Sequence, residues 1–136
     1  MEIRNGDLLK ADVDIILHQV NLQGFMGGGI AYQIAKKFPN VEKEYIEFEE
    51  KELGKVCFVK TNRYVVGNCF SQNWYFETDY QALRQCLDVV LEYMFKNNLK
   101  TIAIPYKYGC GIASGNWDIV LEIFERKIPD IIIYKL

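Results

Sequence analysis

Short β-branched runs and amphipathic stretches take turns along this whole chain, and that alternation restricts it to layered α/β folds. Asp14–Gln19 (DIILHQ) reads as a buried strand, and Gly29–Phe38 as a helix stopped before Pro39. Val41–Lys51 reads as a second helix, with Tyr45 and Phe48 three apart on one face. Val56–Lys60 and Tyr64–Phe70 are expected to be strands joined by a turn at Thr61-Asn62-Arg63. A longer helix is expected over Thr78–Lys96, with Thr78 as its cap and Leu83, Leu87, Val90, Leu91 and Met94 on its apolar face. Thr101–Pro105 and Ile131–Tyr134 read as further strands, with a helix at Trp117–Lys127 between them. Strands exchanged with helices this often call for a sheet covered on both faces.

The 136 residues suit one domain, spanning 1–136, with no repeat or linker in view. No stretch approaches the roughly 20 apolar residues that a bilayer span needs, and Met1–Lys10 holds no apolar signal core. A cytoplasmic protein with no membrane partner is therefore expected. The net charge of -2 comes with basic residues scattered among acids, as in Glu42-Lys43-Glu44. That argues against docking in the grooves of double-stranded nucleic acid, which calls for a basic stripe. A small anion held by backbone amides needs no such excess. Cys57, Cys69, Cys86 and Cys110 form no CxxC pair, and His18 is the one histidine. The expectation is free thiols, with no metal and no cofactor demanded.

Two loops carry the strongest signal. Asn21–Gly29 (NLQGFMGGG) lies between an expected strand and an expected helix. Three consecutive glycines cost conformational entropy, so they make sense where the backbone must approach something closely or adopt positive φ. The following helix would then present free amides and a partial positive charge to an anion. The spacing is neither GxGxxG nor a P-loop. Gly109-Cys110-Gly111-Ile112-Ala113-Ser114-Gly115 follows the strand ending at Pro105 and again leads into a helix. Ligands of open α/β sheets settle outside the carboxyl ends of strands, so two such loops side by side would suit a diphosphate; the competing reading is that both are tight turns.

These residues resemble the macro domains over the whole chain. Gly6-Asp7-Leu8 is similar to that family's early Gly-Asp-aliphatic motif. His18-Gln19-Val20-Asn21 through Gly27-Gly28-Gly29-Ile30-Ala31 resembles its Asn-then-glycine loop, and Pro105 with Gly109-Cys110-Gly111-Ile112 its second phosphate loop. The run from His18 to Tyr45 looks most like the ADP-ribose-1''-phosphate phosphatase branch, and next like the terminal ADP-ribose glycohydrolase branch. The resemblance implies a three-layer α/β/α sandwich with a central mixed sheet, and ADP-ribose or a derivative as ligand. It implies that Asp7 takes the adenine amino group, with the Leu8 amide nearby, and that Asn21 lies by the distal ribose. Gly27, Gly28, Gly29 and Ile30 would wrap that ribose and one phosphate, and Gly109, Cys110, Gly111, Ile112 and Ala113 the other. From the residues alone, Asp7 is equally a turn residue or helix cap.

For chemistry, His18 sits at a strand's end three residues before Asn21, where its ordinary pKa near 6.5 would suit attack on a terminal phosphate. A core histidine beside the cleft is the competing reading. Glycohydrolase relatives use a lysine before the long helix and an aspartate after the second glycine loop. Here Asn68–Trp74 holds no lysine, and Ile112-Ala113-Ser114 stands where the aspartate would be. Cys110 reads either as a nucleophile paired with His18 or as a small filler between glycines. Trp74 and Tyr75, with Phe76, are candidates for a lid over adenine or ribose, or for a cap on the core. Tyr106 and Tyr108 flank Lys107, which could meet a terminal phosphate or simply be an exposed loop lysine. Three activities stay open: hydrolysis of ADP-ribose-1''-phosphate, removal of ADP-ribose from protein or nucleic acid, and recognition of ADP-ribose without turnover.

Overall fold

The computed structural model describes residues 1–73, 77–111 and 113–136. Strand β1 (Glu2–Asn5) leads through a 3₁₀ turn at Leu8–Lys10 to β2 (Ile15–Asn21). Helices α1 (Gly29–Lys37) and α2 (Pro39–Glu47) follow. Then come β3 (Val56–Lys60), β4 (Val65–Asn73) and the short β5 (Glu77–Thr78). Helix α3 (Tyr80–Lys96), β6 (Ile102–Pro105), α4 (Trp117–Lys127) and β7 (Ile132–Lys135) complete the chain.

The strands form one mixed sheet in the order β1-β7-β6-β2-β4-β3, with β5 hanging from β4. Pairing is parallel from β1 across to β4, and antiparallel where β3 and β5 meet β4. Strand β2 shows why both faces are covered. Ile15 and Leu17 point into the core beneath α3 and α4, and Ile16 and Val20 into the core beneath α1 and α2. Each such fully buried aliphatic side chain contributes about 1.5–3 kcal/mol from apolar surface withdrawn from water. Helices α3 (Leu83, Leu87, Val90) and α4 (Val120, Phe124) close one face, and α1 (Ile34) and α2 (Val41, Tyr45) the other. The result is the expected α/β/α sandwich around a mixed sheet.

Four local readings are corrected. Strand β1 is absent from the sequence reading, because Glu2-Ile3-Arg4-Asn5 is exposed throughout and is held by backbone pairing to β7. Pro39 opens α2, where its fixed φ suits the first helical position, and α2 ends at Glu47. Phe48 therefore lies past the helix, stacked on Phe70 at 5.5 Å. The cap of α3 is Asp79, whose carboxylate accepts from the Ala82 amide at 2.8 Å, while Thr78 is drawn into β5. Leu91 lies on the solvent side of the α3 stripe, 38% exposed.

Asp79→Ala is expected to lower stability by about 1 kcal/mol, the usual worth of an N-cap carboxylate. Urea unfolding of the two proteins measures it, and an unchanged midpoint would assign the cap elsewhere.

Candidate functional site

Strands β2 and β6 are parallel neighbours, so the loops that leave their carboxyl ends emerge side by side. Between them opens a cleft of about 440 Å³, lined by Asn21, Gly27–Ala31 and Gln72 on one side and Pro105–Gly109, Gly111 and Ala113 on the other. Gly28 caps α1 in extended conformation and has no side chain to bond the first amides of that helix, whose residues line the cleft. Gly29 has φ 55°, a left-handed conformation that favours glycine. The cleft is therefore floored by backbone donors, which suits phosphate.

Side chains beneath hold each loop. The Tyr45 hydroxyl, buried under the first loop, accepts from the Gly24 and Phe25 amides at 3.1 Å each. It donates to Asn21, whose backbone and side-chain oxygens both lie at 2.7 Å. The Asn21 amide group in turn donates to the Phe25 carbonyl at 2.9 Å, and its oxygen accepts from the Gln23 amide at 3.0 Å. Asn21 thus shapes the loop as well as lining the cleft. Under the second loop, Tyr108 and Ser71 hydroxyls meet at 2.8 Å, and Ser71 donates to Gln19 Oε1 at 2.8 Å. Gln19 Nε2 donates to Thr78 at 3.0 Å, and Thr78 donates to the Gly109 carbonyl at 2.5 Å. A bulge helps to build this chain: β2 pairing skips Ser71, passing from Val20–Phe70 to Asn21–Gln72.

Of the residues singled out from sequence, Asn21, Gly27, Gly28, Gly29, Ile30, Gly109, Gly111 and Ala113 come together around the cleft. Asp7 and Leu8 stand off its wall: Asp7 caps the 3₁₀ turn by accepting from the Leu9 amide at 2.9 Å, and Leu8 is buried. Ile112, Trp74 and Tyr75 lie outside the described residues. Cys110 turns away from the cleft and donates to the Tyr108 carbonyl at 3.3 Å; burial pushes its thiol up, which disfavours the nucleophilic thiolate.

His18 requires a correction. Its ring is fully buried on the α1–α2 face of β2, off the cleft wall and across the sheet from the core against which Cys110 packs. The Asn68 amide donates to the Cys57 carbonyl at 2.9 Å, which turns Asn68 Oδ1 toward His18 Nε2 at 2.5 Å. Nε2 therefore carries the proton, and Nδ1 has no hydrogen-bond partner among the described residues. Burial pulls the pKa down to about 4 against the smaller opposing effect of Asn68. His18 is thus a neutral core residue, and the Cys110–His18 dyad does not form.

Gln19, Phe25 and Gln72 line the cleft without having been singled out. Their positions at strand ends were visible, but glutamine and phenylalanine there carry no motif. Tyr45 was seen only as a face residue, because its partner loop lies some twenty residues away.

The macro domain family model matches residues 17–124, and the chain belongs to that family. It is 28% identical over 137 residues to the Bos taurus protein named ADP-ribose glycohydrolase OARD1, covering 96% of this chain and 88% of that one. It is 46% identical to a Saccharomyces cerevisiae ADP-ribose 1''-phosphate phosphatase over 48 residues, which is 34% of this chain and 27% of the yeast protein. The fold also matches Thermosipho africanus DarTG in complex with ADP-ribose, with TM-score 0.86 at 21% identity, over 99% of this chain and 42% of that one.

Tyr45→Phe keeps the ring but removes the hydroxyl, and is expected to cost about 1–3 kcal/mol in urea unfolding by taking away the acceptor of the Gly24 amide. Hydrogen exchange at Gly24 should accelerate; unchanged exchange would mean that the hydroxyl does not hold the loop. In NMR, the single histidine should show no titration near pH 6.5 and a midpoint near 4. Its folded pKa lies below its unfolded one, so its contribution, about 3 kcal/mol, is present above pH 6.5 and is lost as pH falls toward 4. A midpoint above 6 would place the ring in water.

Proposed function

We propose that this chain binds ADP-ribose across the two glycine loops and hydrolyses a derivative of it, with ADP-ribose-1''-phosphate the first candidate. The observation that supports this most is the facing of the α1 amides and the Gly109–Ala113 loop across a cleft sized for a nucleotide diphosphate. The relatives named as ADP-ribose hydrolases and the structural neighbour in complex with ADP-ribose point the same way. In this reading, adenine sits at the Asp7 end and the diphosphate between the loops. The distal ribose then lies toward Asn21, Phe25 and Gln72. An ADP-ribosylated protein or nucleic acid would enter from that distal end.

The chemistry must then run without His18. Ionisable groups among the described lining residues are Tyr106, Lys107 and Tyr108, and burial holds the Tyr108 hydroxyl protonated far above neutrality. Gln19, Asn21 and Gln72 are neutral amides that orient water but do not take its proton. The proton of the attacking water therefore goes to a phosphate oxygen of the substrate. As water bonds to the terminal phosphorus, the bond to the ribose oxygen breaks, and the proton held on the phosphate oxygen passes to that oxygen as it leaves, giving the ribose hydroxyl and hydrogen phosphate.

A second reading is recognition without turnover, and the lack of an ionised base among those same lining residues is what favours it. Removal of ADP-ribose from a macromolecule is the remaining hydrolytic option, supported by the glycohydrolase-named relatives. Phosphate release from ADP-ribose-1''-phosphate and ADP-ribose release from a modified peptide or oligonucleotide separate the three.

Gly111 gives the direct test, because a Cβ there meets nothing within 4 Å and the side chain would grow into the cleft. Gly111→Leu should leave the melting temperature within a few degrees yet weaken ADP-ribose binding by about 100-fold or more, since the ligand and leucine need the same space. Calorimetry with AMP and ADP as controls reads it; unchanged ADP-ribose affinity would remove the cleft from the function.

A further inference from the structure

We propose that the mouth of the cleft carries a third anion subsite, built by Lys107 and Lys135 around Tyr106, which takes a phosphate monoester on the adenosine ribose of the ligand. The proposal rests on the ADP-ribose reading above.

Tyr106 is fixed from two sides. Its amide donates to the Tyr134 carbonyl at 2.9 Å, and its ring meets the edge of Trp117 at 5.3 Å and 64°. The ammonium of Lys135 lies 4.6 Å from the ring centroid and that of Lys107 5.7 Å from it. Cation–π attraction thus gathers two exposed cations at a single ring that itself lines the cleft. Among the described residues, neither lysine has a carboxylate within ion-pairing distance, as holds for most Lys and Arg of the chain; what sets these two apart is their convergence on one ring. Two cations brought to one ring at the cleft rim raise the local potential that a further anion meets.

The position picks out which part of the ligand carries it. Lys135 ends β7, and its carbonyl accepts from the Gly6 amide at 2.9 Å, beside Asp7. The opposite end of the cleft offers the neutral amides Gln19, Asn21 and Gln72. With adenine at Asp7 and the diphosphate between the glycine loops, the adenosine ribose is the part that comes nearest Tyr106. ADP-ribose itself places no phosphate there. A 2′- or 3′-phosphate on that ribose does, and the substrate class becomes ADP-ribose derivatives phosphorylated on the adenosine side.

Calorimetry of ADP-ribose, 2′-phospho-ADP-ribose and ADP-ribose-1''-phosphate on wild type, Lys135→Ala and Lys135→Arg decides it. The expected result is about tenfold tighter binding of the 2′-phosphate than of ADP-ribose, an advantage that shrinks as salt is raised. Lys135→Ala should cancel the advantage while leaving ADP-ribose affinity as it was, and Lys135→Arg should retain it. Equal affinity for the two ligands overturns the subsite, as does an advantage that survives removal of both lysines. A preference for the 1''-phosphate that disappears in Lys135→Ala would put the subsite at the other end of the ligand and overturn the assignment to adenosine. If wild type binds none of the three, the ADP-ribose reading itself fails, and a Gly111→Leu control then has nothing to lose.

Discussion

Everything at the cleft depends on the parallel pairing of β2 between β6 and β4. Parallel neighbours need crossover connections, and each crossover returns the chain so that successive strands end at the same edge of the sheet. The loop after β2 and the loop after β6 therefore meet, although some eighty residues separate them. Burial of β2 on both faces makes that pairing hard to slip, because a one-residue shift would exchange the Ile15–Leu17 set for the Ile16–Val20 set.

Recognition by backbone amides works only if the backbone stays where it is, and polar side chains beneath the loops perform that task. Tyr45 gives its hydroxyl to the first loop, and the chain from Tyr108 through Ser71, Gln19 and Thr78 reaches the second. Each buried donor there has an acceptor, so the supports stiffen the loops instead of costing desolvation. A cleft of this kind can suit an anion even in a mildly acidic protein, because oriented backbone dipoles supply positive potential without an excess of lysine.

His18 and Cys110 show how a residue type misleads without its surroundings. Histidine at a strand's end near a glycine loop fits a catalytic pattern, but β2 alternates faces and turns the ring into the α1–α2 core. There, desolvation removes the basicity that made it a candidate. Cys110 has the complementary fate on the other face, its thiol held to the Tyr108 carbonyl. Among the described residues, those left around the cleft are amides, glycines and apolar or aromatic side chains with one lysine, Lys107.

Local periodicity made most strands and helices readable, since burial on one or two faces imprints a period of two or of 3.6 on adjacent residues. The glycine loops were readable for a related reason: close backbone approach and positive φ exclude side chains wherever they occur. Strand β1 was not, because four exposed residues are held by hydrogen bonds to β7 at the far end of the chain. Neither were Asp79 as the cap in place of Thr78, the hold of Tyr45 on the first loop, nor Gln19 and Gln72 in the cleft wall. The sequence by itself determined the layered architecture and the two glycine loops, because each of these is a local demand on neighbouring residues. Only the tertiary structure decided which side chains face the cleft, which brace it from beneath, and that His18 is silent, because those depend on which distant residues share one side of the sheet.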